Sequence, residues 1–192
     1  MAERSDHPDP ATDARRASDE RFRRGRQELA AALRSLLGPR GAPEPLDDAD
    51  RAAAVAAEAR AGHRAAGEHA WAVVRHEWGD DGRSGAAAVL QALGALAGPR
   101  PVWLVVPGRE PQAVAVDSDV VLDNPIGFAV LAEGGELVLL DRQLPAGVWL
   151  GRHAGAGPGA PDGWELEVWG AEPWLSAATR ALREWRARPP GA

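Results

Sequence analysis

The sequence predicts an α+β domain: N-terminal helices, then a mainly antiparallel sheet of five or six strands, closed by a C-terminal helix. Three observations carry this. Apolar residues recur at near-3.6 spacing until about residue 97, and after Pro101 the pattern turns extended. The extended stretches follow one another through short Gly-, Pro- and Asp-containing turns without intervening helices, which argues for antiparallel pairing over a doubly wound sheet. The chain has 192 residues, 45% of them hydrophobic, enough to bury one core.

Taken in order, residues 1–14 carry Pro8, Pro10 and scattered acids and read as a disordered tail. Residues 15–40 read as a basic amphipathic helical arm and linker. Phe22, Leu29, Leu33, Leu36 and Leu37 share one helical face, arginines surround it, and Gly38-Pro39 stops it. Residues 41–188 read as a single α+β domain. Within it, Asp47 or Asp48 caps an alanine-rich helix predicted to run to about Trp78, with Val55, Ala59, Gly62, Ala66 and Val73 as a small-residue packing stripe and Trp71, Val74 and Trp78 as a second apolar line. Ser84 caps a short helix over 85–97.

Val102 to Val106 is a continuous apolar run suited to a central strand buried on both faces. Gln112 to Val116 returns as a second strand, and Val120 to Leu122 extends it or begins another. Gly134-Gly135 marks a hairpin between 127–132 and 136–140. Val148 to Leu150 is a short strand, followed by a loop rich in Gly and Pro. Trp164, Leu166 and Val168 alternate with Glu165 and Glu167, a strand with one wet face. Pro173 opens a final helix with Trp174, Ala178, Leu182 and Trp185 on one stripe.

Composition narrows the function. The chain has no Lys, Cys or Tyr, yet eight Trp, and Arg is its only strong base. Arg for every base with abundant Ala, Gly and Pro is the signature of a GC-rich, bacterial-type genome, so Arg content alone does not indicate phosphate binding. The absence of Cys excludes disulfides, thiolate zinc sites and a Cys nucleophile. No apolar run approaches the ~18–20 residues that span a bilayer, and there is no signal-peptide core, so a cytoplasmic protein without a membrane partner is expected. No phosphate-binding loop, dinucleotide fingerprint, serine elbow or nuclease-type Lys is present, and no cofactor is expected. The net charge of −6 is uneven: residues 15–40 hold eight Arg against three acids, and 41–175 hold twenty acids against nine Arg. The acidic body favours a basic partner and disfavours nucleic acid beside the arm.

Several groups are candidates for chemistry. Asp117 and Asp119, after an apolar strand, are two carboxylates of the kind that hold a divalent cation, and they are the metal and catalytic candidates. Asp117-Ser118-Asp119-Val120-Val121-Leu122 resembles the nucleophile loop of haloacid-dehalogenase-type phosphatases over about ten residues. That resemblance implies Asp117 as nucleophile and Asp119 as acid/base. The chain departs from that family in having no Lys and no helix–strand repeats downstream, and by themselves these residues read as a solvated turn. His153 joins them as a candidate general base, with Asp117, Asp119 and Asp141 as conceivable neighbours. Arg152 to Gly157 resembles the Arg-x-x-Gly-x-Gly pyrophosphate loop of acetyltransferases, but Pro158 and Pro161 follow where a helix is needed, so a surface loop is expected.

His63, His69 and His76 lie on the second predicted helix at spacings that do not suit one ion, and are read as solvated. Trp71, Trp103, Trp164, Trp174 and Trp185 fall on core faces. Trp78, Trp149 and Trp169 fit less well; Trp149 and Trp169, with Glu165 and Glu167, are the candidate binding residues, because exposed Trp is enriched at interface hot spots. The leading expectation is therefore a small non-catalytic protein-interaction module, adaptor- or immunity-like, that binds another protein. The alternatives are a metal-assisted hydrolase using Asp117 and Asp119, and nucleic-acid binding through the basic N-terminal helix.

Overall fold

The computed structural model describes residues 10–38, 41–68, 73–78, 100–123, 131, 136–153, 163–170 and 174–187. The α+β architecture is as the periodicity predicts. Two long helices, α1 (Pro10–Leu37) and α2 (Ala49–Glu68), precede a sheet of six antiparallel strands. These are β1 (Val73–Trp78), β2 (Pro101–Val106), β3 (Gln112–Asp117), β4 (Glu136–Asp141), β5 (Gly147–His153) and β6 (Gly163–Trp169). A short α3 (Ser118–Asp123) follows β3, and α4 (Trp174–Arg186) ends the described chain.

The strand order is β1-β6-β5-β4-β2-β3. β4, β5 and β6 form a meander, while β2 and β3 form a hairpin whose β2 edge receives β4. Alternation sorts the side chains into two apolar layers. Val102, Leu104, Val114, Leu137, Leu139, Val148, Leu150, Leu166 and Val168 face Leu29 and Leu33 of α1, Val121 of α3, and Ala177, Ala178 and Leu182 of α4. On the other face Val105, Ala113, Val138, Leu140 and Trp169 meet Ala52, Val55, Ala56 and Ala59 of α2, and Phe22 of α1. A sheet covered on both sides needs continuous apolar strands, which is why Leu137 to Leu140 are all buried.

α1 runs along the β3 edge and feeds both layers, so the basic arm shares its core with the strands. It begins at Pro10, a residue suited to a helix's first turn, so residues 10–14, expected in the disordered tail, are helical. Gln112 Nε2 donates to the Phe22 carbonyl at 3.2 Å, and the Leu46 N–H donates to the edge carbonyl of Ala113 at 2.9 Å. This covers an edge that would otherwise present unpaired backbone. Arg21 donates twice to Glu110 Oε1, at 3.0 and 2.7 Å, and Arg26 and Arg34 lie 3.7 and 3.5 Å from Glu44. Some of the arm's positive charge is thus spent inside the molecule.

Several readings need correction. The second helix stops at Glu68, and Val74 and Trp78 lie on β1, antiparallel to β6 from Val73↔Trp169 to Trp78↔Trp164. The apolar spacing fits either period locally, and pairing with a strand some ninety residues later decides it. Residues 120–122 belong to α3, where Ser118 reverses the chain: its Oγ accepts from Arg100 N–H and its own N–H donates to the Arg100 carbonyl. The Glu165/Glu167 face is not wet, since Glu167 is buried beneath α2. Asp48 is the cap of α2, accepting the Arg51 N–H at 3.1 Å. The hairpin expected between 127–132 and 136–140 is not formed, because both edges of β4 are taken by β2 and β5 and Leu131 is helical. The helix expected over 85–97 and the loop after His153 lie outside the described residues.

Leu33 is fully buried where α1 meets the sheet. Leu33→Ala is expected to cost about 3 kcal/mol in urea unfolding, from lost burial plus the cavity left behind. Hydrogen bonding from Arg21, helped by Ser18 and the charges of Arg21 and Arg109, holds the Glu110 carboxyl below the usual glutamate range. The stability this pair adds is present at and above that range and fades as pH falls through the lowered value. Carboxyl NMR titration is expected to find Glu110 low in the native protein and near ordinary in Arg21→Gln.

Candidate functional site

The described chain concentrates aromatic and ionisable side chains where α2 crosses β5 and β6. Alternation along β6 brings Glu167 and Trp169 to the α2-facing side, and Trp149 of β5 lies directly opposite Glu167. Two glycines flank Trp149 on the same face of β5. At Gly151 an added Cβ would collide with the Trp149 ring, and at Gly147 with the Trp169 ring and the Leu139 carbonyl. Gly-x-Trp-x-Gly is therefore a seat in which both indoles lie flat along the sheet. Gly62 of α2 completes it, since a Cβ there would stand 3.1 Å from Trp169 Nε1.

His63 follows Gly62 and enters between the two indoles. Its ring stacks on Trp149 at 5.4 Å with 15° between planes, and lies 5.4 Å from Trp169 at 51°. His63 Nε2 is 2.7 Å from Glu167 Oε2. The His63 side chain is 27% exposed and that of Glu167 only 7%. An imidazole N–H and a carboxylate oxygen at this separation make a short hydrogen bond across the seam. The bond fixes the imidazole and supplies polar compensation to a carboxylate that would be costly to bury alone.

Two grooves flank α2 at this point. One, about 320 Å³, is lined by Gly62, Ala65, Leu140, Leu144, Pro145 and Trp169. The other, about 240 Å³, is walled by His63 and Trp149, floored by Ala59 and Val138, and rimmed by Arg60 and Arg64 on α2 and by Pro107 and Glu136 opposite. His63 and the two indoles form the partition between them. An indole wall, an oriented imidazole and a guanidinium rim suit the second groove to an apolar or flat group that carries negative charge.

The candidates named from the sequence divide. Trp149, Glu167 and Trp169 come together here. Trp169, however, is 1% exposed and serves as floor, leaving the half-buried Trp149 as the indole at the surface. Glu165 lies farther along β6, in register with Gly151 and Glu77. Asp117 ends β3 exposed, and Asp119, also exposed, accepts the Val120 N–H at 2.9 Å in the first turn of α3. The strand-to-helix change between them removes the strand alternation that would make the two carboxylates converge. His153 ends β5 at the opposite end of the sheet from Asp117, because β3, β2, β4 and β5 alternate in direction. Its side chain lies outside the described residues. Asp141 is at the Asp117 end, buried, with Oδ2 3.0 Å from Arg100 Nε and Oδ1 accepting from the Gln143 and Leu144 amides. Among the described residues, no group of three or more His, Asp or Glu is placed to hold a metal ion.

His63 is the functional candidate that sequence reasoning missed. Read as solvated, it is instead packed between two rings. The spacing Ala52, Ala56, Ala59, His63 continues the buried face of α2 and is the signal that places it there. The chain matches no protein-family model, no curated protein and no solved structure. No helix among the described residues is long and apolar enough to cross a membrane.

Replacing His63 by Ala is expected to destabilise the fold by about 3 kcal/mol, because Glu167 loses its imidazole partner in a buried position. Converting Glu167 to Gln in the His63→Ala background is expected to recover part of that loss. Urea unfolding of the two single variants and the double variant checks both.

Proposed function

We propose that the protein is a non-catalytic protein-interaction module, adaptor- or immunity-like, that engages another protein through the groove of Trp149, His63, Arg60 and Arg64. The observation that carries this reading is Trp149. Its indole stands half-buried at the seam between α2 and the sheet, fixed by Gly151 beneath it and His63 stacked on it. A pre-oriented aromatic gives up little conformational freedom on binding, and Trp and Arg dominate the energetics of protein interfaces. The arginines supply directional donors at the rim of an apolar floor, the usual division of an interface patch.

The test is a pull-down from native-host lysate with wild type, Trp149→Ala and, as a remote surface control, Asp119→Ala. The recovered partner is then titrated against each. The expected result is one stoichiometric partner whose affinity falls roughly thirty-fold or more with Trp149→Ala, the size of a hot-spot loss of about 2 kcal/mol, and is unchanged with Asp119→Ala. A partner held equally well by Trp149→Ala, with that variant's melting curve near wild type, overturns the reading.

A further inference from the structure

We propose that the partner segment received by this groove is an acidic stretch of polypeptide that places one bulky apolar side chain against Trp149 and His63 and its carboxylates on Arg60 and Arg64. The inference rests on the interaction-module reading and goes further by naming the chemistry of the occupant.

Charge complementarity is the first argument. Six arginines of the described surface are committed. Arg21, Arg26, Arg34 and Arg100 pair with carboxylates, and Arg51 and Arg142 lie over the Trp103 ring, at 5.8 and 4.7 Å. Arg60 and Arg64 are not among these, and they line the groove. Both are exposed, and among the described residues neither has a carboxylate partner. Arg64 Nε donates only to the Arg60 carbonyl, at 3.4 Å. Four residues apart, the two lie on one helix face one turn from each other, so a pair of carboxylates can meet both. Within residues 41–175, which hold twenty acids against nine Arg, this is a local reversal of sign, set directly at the mouth of an apolar slot.

Polarity across the slot is the second argument. The α2 rim is cationic, while the sheet rim carries Glu136. An occupant with acids along its whole width would meet Glu136, so the carboxylates belong on the α2 side and the apolar side chain in the middle, over Ala59 and Val138.

Size is the third. About 240 Å³ is below the ~300–1,000 Å³ common for small-molecule sites. It suits a side chain delivered by a polypeptide that continues over the rim. A nucleic acid strand would bring anionic charge to both rims and meet Glu136, which disfavours it.

The experiment uses full-length protein labelled with ¹⁵N-tryptophan, reading the Trp149 indole N–H assigned through Trp149→Phe. The probes are octapeptides with a central Phe or Leu flanked by Asp and Glu, by Ser and Gly, or by Arg, and a single-stranded oligothymidylate. The acidic peptides are expected to shift the Trp149 resonance and bind at least ten-fold more tightly than the neutral ones. The double variant Arg60→Glu, Arg64→Glu is expected to reverse that order, so that the Arg-flanked peptides bind. Arg60→Gln, Arg64→Gln is expected to abolish the preference while leaving the melting curve unchanged. Equal binding of neutral and acidic peptides, displacement by oligothymidylate, an unaltered preference after charge reversal, or no shift of Trp149 with any peptide each overturns the proposal. These failures leave the interaction-module reading standing if the lysate partner still depends on Trp149. Independence of that partner from Trp149 overturns the reading itself.

Discussion

The seam between α2 and the sheet depends on bare backbone at three positions. Gly147 and Gly151 on β5 and Gly62 on α2 leave room for two indoles to lie along the strand surface, and a single Cβ at either strand position would meet a ring. With the rings flat, α2 comes close enough for His63 to reach Glu167 at 2.7 Å. That bond compensates a carboxylate in the buried layer, and the stacked imidazole in turn fixes the face that Trp149 shows to the groove. Removing the glycine seat separates all of these contacts together, so stability and the shape of the candidate site share one origin.

Buried carboxylates also fix the strand register. Glu167 on β6 and Asp141 on β4 are both nearly inaccessible, and each has a specific partner set: His63 for the first, Arg100 and two loop amides for the second. A one-residue slip of β6 would turn Glu167 into the all-apolar layer occupied by Leu166 and Val168, where α4 offers Ala177, Ala178 and Leu182. The penalty for that alternative far exceeds what the native pair contributes, which makes the polar contacts determinants of register more than sources of stability. α1 performs a comparable service at the other side of the sheet, covering the β3 edge and tying its turn down through Arg21 and Glu110.

In the proposed interaction, this organisation separates strength from recognition. The deepest elements of the cluster, Trp169 and Glu167, are structural. Trp149, Arg60 and Arg64 stand at its surface, supported from below by residues a partner does not touch. A contact surface backed in this way needs little rearrangement on binding, the condition under which a small patch contributes most per unit area.

Much of the fold was legible in the chain. The change of apolar period after Pro101, the glycine and proline punctuation, and the doubly apolar β2 determined an α+β domain with a helix-covered antiparallel sheet, because these are local consequences of burial. The core residues of α1 and a cap at Asp47 or Asp48 followed from spacing for the same reason. Trp149 and Trp169 were recognisable as aromatics that fit the core pattern less well. Only the tertiary structure decided that 73–78 is a strand, since its hydrogen-bond partners lie on β6, ninety residues away. It alone turned Glu167 inward and placed His63 between two rings, because whether a face is wet is set by what packs on it, here α2. And it kept Asp117 apart from His153, since strand direction, which no single segment encodes, put them at opposite ends of the sheet.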